Sequence, residues 1–162
     1  VFGTVEVADS KEVLVNWEAL KRKEKSQSTT ADAIESVPHT LPALWRAEKI
    51  AGKTAKAGFD WASALSALGK LEEEARELRE ALDAGAGTDE PHGIREELGD
   101  LLFITAKVAQ MSGVDPEDAL HRACDKFDGR FRRVEAMADK PLGEYAEAEL
   151  VELWKSSKKE ES

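Results

Sequence analysis

Two short acidic stretches hold the residues of this chain with the clearest capacity for chemistry: KLEEEARELRE from Lys70 to Glu80, and REELGDLLFI from Arg95 to Ile104. Residues three and four apart are neighbours on a helix. Glu73 with Glu77, Glu74 with Glu77, Glu96 with Asp100 and Glu97 with Asp100 therefore stack like charges, at a cost of a few tenths of a kcal/mol per pair. Lys70 relieves only part of this. The opposite-charge pairs in the same region, Glu72 with Arg76, Arg76 with Glu80 and Arg79 with Asp83, read as a solvated face and need no function. Two acid pairs on consecutive antiparallel helices would gather about four carboxylates, and an all-oxygen donor set suits a hard cation, magnesium or manganese rather than zinc. From spacing alone, a metal site and a solvated acidic surface are equally compatible with the pattern.

The elements that must position these acids are helices. Asp9 or Ser10 caps a predicted helix running to about Lys25, and Ser26 to Thr30 reads as a linker. Thr40 before Leu41-Pro42 predicts a capped helix ending near Gly58. Further helices are predicted over Ala62 to Asp83, Ile94 to Ser112 and, with Asp115-Pro116 as cap and first turn, to about Ala138; a last one covers Glu144 to Lys158. Leu71, Ala75, Leu78 and Leu82 form an apolar stripe with Glu74 and Glu77 to one side, and Leu98, Leu102, Thr105 and Ala109 form another beside Glu97 and Asp100. The row of Glu97 and Asp100 continues through Ile104 and Val108, which predicts a partly buried acid site. The fold class is all-α, four core helices plus a tail.

Composition narrows the partners. The 162 residues suffice for one domain with a core, and 41% hydrophobic content is that of a globular chain. A formal charge of −10 argues against nucleic acid or an anionic membrane as partner, since phosphate backbones are held by Lys and Arg. Cys124 is the single cysteine, so no internal disulfide or thiolate cluster can form, and a reducing cytoplasm is expected. No apolar run reaches membrane-spanning length, Val1-Phe2-Gly3-Thr4 has no signal character, and the absence of a starting Met reads as a fragment.

The two acidic motifs together resemble the EExxE and ExxD pair of the MazG-type nucleoside triphosphate pyrophosphohydrolases, in the all-α NTP pyrophosphatase superfamily. LPALWRAEKIAGKTAKAGFDW from Leu41 to Trp61, KFDGRFRRVE from Lys126 to Glu135 and the terminal ELWKSSK are also similar to segments of the C-terminal MazG domain, in the same order. The resemblance covers about Ser36 to Lys158. It implies Glu74, Glu77, Glu97 and Asp100 as magnesium ligands, manganese being a possible substitute, with Glu73 an alternative ligand or proton acceptor. It further implies that Lys126 and Arg130, one turn apart, meet the triphosphate, and that Trp154 and Lys158 help to close the site. Gly129 stands where the family often has a charged residue. The implied reaction is attack of water on the α-phosphorus, giving nucleoside monophosphate and pyrophosphate, in nucleotide-pool house-cleaning by a homodimer. A narrower enzyme of the superfamily, acting on dUTP, dCTP or phosphoribosyl-ATP, and a non-catalytic helical interaction module are the alternatives.

VLVNWEALKRKEK from Val13 echoes ELVELWKSSKKEE from Glu149. Residues 1–30 accordingly read as the tail of a preceding MazG-like repeat with its linker, and 31–162 as the catalytic domain. Arg46, Lys49 and Lys53 share a helix face that could line a phosphate entrance or simply be solvated. Phe59 and Trp61 are expected to anchor their loop, base stacking being the alternative. His39, His92 and His121 are scattered, and Gly85 to Gly87 lacks the Lys and Ser or Thr of a phosphate-binding loop.

Overall fold

A computed structural model describes residues 29–85 and 92–159. The helix expected before Lys25 and the repeat tail lie outside the described residues. Among the described residues every regular element is helical: α1 Thr30–Glu35, α2 Ala43–Lys56, α3 Ala64–Gly85, α4 His92–Met111, α5 Pro116–Met137, a 3₁₀ turn Leu142–Glu144 and α6 Glu147–Lys159. The chain divides into two compact units, Val1–Val114 and Asp115–Ser162.

Local chemistry accounts for most boundaries. A capping box opens α1: the Asp32 backbone N–H donates to the Thr29 hydroxyl at 3.1 Å, and the Thr29 N–H donates to the Asp32 carboxylate at 2.7 Å. The sequence reading assigned no helix here, although Thr29 and Asp32 have the box spacing. α2 begins at Ala43 with Pro42 as its cap residue and no side-chain cap bond, so Thr40 does not cap it. It ends in a Schellman motif. Gly58 takes φ +88°, while the Phe59 N–H reaches back to the Thr54 carbonyl and the Gly58 N–H to that of Ala55, both at 3.0 Å. Ser63 starts α3 by accepting from the Ser66 N–H at 3.1 Å. Gly113, at φ +69°, follows α4. Asp115 accepts from the Glu117 and Asp118 N–H groups ahead of Pro116, as expected for α5. Gly129 is accommodated within α5.

In the first unit α4 is central, packed against both α3 and α2, and α1 packs on α2. Its buried apolar residues are mostly small: Ala33, Ala51, Ala67 and Ala106 with Val37 and Ile104. Small side chains let helices approach closely but remove little apolar area from water. Several larger apolar side chains, Leu68, Leu98, Leu102 and Phe103 among them, are exposed. In the second unit α5 packs on α6, Phe127 lies 5.1 Å from Trp154 between ring centroids, and the Arg133 Nε donates to the Ser157 carbonyl at 3.0 Å.

The apolar stripes named from sequence are buried only in part: Leu71, Leu78 and Ala109 are half-buried. Leu82, Leu98 and Leu102 are about half exposed, and Ala75 and Thr105 are exposed. The buried row of α4 instead runs through Ile104, flanked by half-buried Glu97, Leu101 and Val108. On α3 it runs through Ala67 and Glu74.

Candidate metal centre

The pairing of α3 with α4 sets the acid geometry. A side chain at Gly93 would meet Ala81, while Glu74 meets Glu97 and Asp100. Moving back along α3 is moving forward along α4, so the helices are antiparallel. One carboxylate oxygen from each of Glu74, Glu97 and Asp100 lies within 4.8 Å of the other two. Glu74 is buried, Glu97 half-buried and Asp100 exposed, so the cluster opens to water on the Asp100 side. This set, oxygen-only and anionic, fits a magnesium or manganese ion.

The electrostatics reflect crowding. Burial, and then the charges of Glu77, Glu74, Asp100 and Glu96, hold the Glu97 carboxyl above the usual carboxylate range. Glu77 is thus close enough for its charge to be felt at Glu97. Its own carboxylate lies 3.4 Å from the Arg76 Nη2, and it stands outside the group of three. Glu73 is turned to the Lys70 ammonium at 3.1 Å, and the same ammonium reaches Glu74 at 2.8 Å. The hydrogen bonds that Lys70 donates to Glu74 and then to Glu73 raise its pKa above the ordinary lysine range. Lys70 is the counter-ion of the cluster, a role heavier than the partial relief read from spacing.

The remaining predicted residues belong to the second unit. Lys126 is exposed and Arg130 half-buried on α5; Trp154 is half-buried and Lys158 exposed on α6. Trp154 contacts Phe127, the residue after Lys126 on α5. In the first unit Arg76 pairs with Glu80 at 2.6 Å on the surface, as spacing predicts. Lys49 pairs with Glu48 at 3.3 Å, whereas the Arg46 Nε is buried without a hydrogen-bond partner. Phe59 does not anchor its loop, being 76% exposed; Trp61 is half-buried.

One buried charge was not singled out from sequence. Lys107 is 1% exposed, and its ammonium sits 2.6 Å from the Asp60 carboxylate and 2.8 Å from the Gln110 Oε1. The hydrogen bond from Lys107 holds the Asp60 carboxyl below the usual carboxylate range. A lysine seven positions after Asp100 on the same helical row was the available signal.

The chain is similar to known proteins over most of its length. Residues 62–134 match the model of the MazG nucleotide pyrophosphohydrolase domain. Over an alignment that covers 99% of this chain, it is 35% identical to the nucleoside triphosphate pyrophosphohydrolase of Escherichia coli K12, of which it spans 62%. It is 36% identical to the nucleoside triphosphate pyrophosphohydrolase/pyrophosphatase MazG of Thermotoga maritima over 88% of this chain and 54% of that protein. An uncharacterised protein of Bacillus subtilis, YabN, is 37% identical over 99% of this chain and 33% of its own length. The matched region contains both acid motifs and the segment of α5 from Lys126 to Arg130, and the likeness runs on through nearly all of the sequence: residues 62–134 are a MazG domain.

Proposed function

We propose that this chain is a magnesium-dependent nucleoside triphosphate pyrophosphohydrolase, cleaving between the α and β phosphates to release a nucleoside monophosphate and pyrophosphate. The observation that carries the reading is the convergence of Glu74, Glu97 and Asp100 from two antiparallel helices to within 4.8 Å, inside the matched domain. The names of the Escherichia coli and Thermotoga maritima relatives support the substrate class.

Glu74, Glu97 and Asp100 would hold the cation, with Glu77 joining them by turning from Arg76. Magnesium, when bound, supplies the positive charge that lets a triphosphate approach so acidic a surface and that stabilises the charge developing on the leaving pyrophosphate. A water attacks the α-phosphorus as the bond to the bridging oxygen breaks, and Glu73 is assigned as the acceptor of its proton. Lys126 and Arg130 are assigned to phosphate oxygens, which guanidinium can grip bidentately, and Trp154 with Lys158 to closing over the substrate. Residues 31–162 are read as the catalytic domain and 1–30 as a repeat tail. Clearing unwanted triphosphates from the cytoplasmic pool is the corresponding role. No described helix is long and apolar enough to cross a membrane.

A homodimer through α3 and α4 belongs to the same reading. Leu68, Ala75 and Leu82 sit about 100° ahead of Glu74 on α3, and Leu98, Leu102 and Thr105 about 100° ahead of Glu97 on α4. All six are exposed. Because the helices are antiparallel and meet through the rows of Glu74 and Glu97, both sets open on one side of the pair, with Glu77 and Asp100 on the other. A second copy laid on this face would complete a four-helix bundle.

The direct test incubates the protein with a panel of ribo- and deoxyribonucleoside triphosphates, with and without magnesium, and separates the products. Monophosphate plus pyrophosphate, strictly metal-dependent, is expected. Diphosphate plus phosphate, or turnover in chelator, would overturn the proposal.

A further inference from the structure

We propose that Lys107 is a positioning residue for base recognition: through Asp60 it sets the turn from Gly58 to Trp61 beside the acid-bearing side of α4, where Phe59 and Trp61 receive the nucleobase. The inference rests on the pyrophosphohydrolase reading.

Seven residues separate Lys107 from Asp100, two turns of α4, which places Lys107 on the same row about 10 Å further along the axis. That separation matches the reach from the phosphates to the base of an extended nucleotide. At this point of the row the chain buries an ammonium, 1% exposed, where an apolar side chain would pack at no electrostatic cost. The ammonium is committed to one partner in another element, the Asp60 carboxylate at 2.6 Å. The same carboxylate oxygen accepts the Trp61 backbone N–H at 2.7 Å. The turn is thus tied at both ends: by the Schellman bonds of Gly58 and Phe59 to α2, and by Asp60 to α4. Between the ties Phe59 stands 76% exposed, a large aromatic surface that packing leaves unused. Stacking of a base on an aromatic side chain is tolerant of base identity, as a broad triphosphate substrate range would require.

The test compares a nucleoside triphosphate with ribose 5-triphosphate, which has the sugar and phosphates but no base, in the wild-type chain and in Lys107→Met, each checked for folding by circular dichroism. The variant is expected to raise KM for the nucleoside triphosphate roughly ten-fold, the loss of one stacking contact, with kcat and the KM for ribose 5-triphosphate nearly unchanged. A fall in turnover of both compounds together, or of neither, overturns the inference. Phe59→Ala and Trp61→Ala give a second arm that leaves the ion pair intact. At least one must reproduce the selective rise in KM, and two variants indistinguishable from wild type overturn it. A wild-type chain that turns over neither compound defeats the parent reading and this one with it, whereas an active wild type without the selective effect defeats this one alone.

Discussion

The ion pair of Lys107 and Asp60 has two ends with unequal access to water, and its disruption should therefore be asymmetric. The side chain of Lys107 is 1% exposed and that of Asp60 is 31% exposed. Asp60→Asn leaves an ammonium enclosed with only amide oxygens to accept from it. Removing one partner of a buried pair costs about 3–5 kcal/mol, and the retained acceptors, Gln110 Oε1 at 2.8 Å and the new amide oxygen, point to the lower end, about 3 kcal/mol. Lys107→Met removes the enclosed charge itself. What remains is a carboxylate partly in water that keeps the Trp61 N–H at 2.7 Å, so the expected cost is about 0–1 kcal/mol. In urea, with a slope of roughly 1–3 kcal/mol per molar, Asp60→Asn should lower the midpoint by about 1–3 M and Lys107→Met by at most about a third as much. The double variant should resemble Lys107→Met, since no enclosed charge survives in it. The acid limb gives a second check. Because the folded Asp60 carboxyl is depressed, its contribution is complete above the unfolded value of 3.8 and is lost as pH falls through the lower folded value. Wild type should lose that part of its stability in acid, and Lys107→Met, which keeps only the Trp61 N–H on the carboxylate, should lose less. Equal midpoints for the two single variants, or a lower one for Lys107→Met, would refute the reasoning.

Glu97→Gln should abolish turnover while raising the melting temperature in chelator at pH 7. The Glu97 carboxyl is raised from 4.5 by burial and neighbouring acids, so its ionisation costs stability as pH rises through that range; added magnesium should stabilise wild type and barely move the variant, and a variant that melts lower in chelator would contradict the assignment. Leu98→Glu combined with Leu102→Glu should convert a dimer into a monomer by light scattering, with the helical circular dichroism retained, and an unchanged mass would remove the proposed face. Gly113→Ala forces a side chain into φ +69° and should destabilise by about 1–2 kcal/mol in thermal melts, with no loss of metal binding.

The helices were legible because their ends carry distinct chemistry: Asp115-Pro116 and Gly113 fall where the boundaries lie. α1 escaped because a six-residue helix has too little periodicity to see, although Thr29 and Asp32 carry a capping signal. The convergence of Glu74, Glu97 and Asp100 was readable from like charges at helical spacing. The direction of burial was legible only in part, through Ile104, Val108, Leu71 and Leu78. A stripe of leucines is the default inward face of a helix, and here close alanine packing on the neighbouring row leaves Leu98 and Leu102 half in water. The burial and pairing of Lys107 were hidden for a different reason: a lysine among apolar residues is ordinarily at the surface, and only tertiary structure brings Asp60, 47 positions earlier in the numbering, against it.

The acid cluster and the packing face of α4 share the same two turns, Asp100 immediately preceding Leu101 and Ile104 lying one turn on. That sharing removes any slack in length. A single residue inserted between Asp100 and Ile104 would preserve every acid and every apolar side chain, yet turn Glu97 and Asp100 by about 100° relative to the buried row, carrying them off Glu74. Substitutions in this hairpin should therefore have graded effects, while one-residue insertions or deletions within it should be all-or-none. In a library of length variants, α4 would stand out as the stretch that admits exchanges and refuses indels.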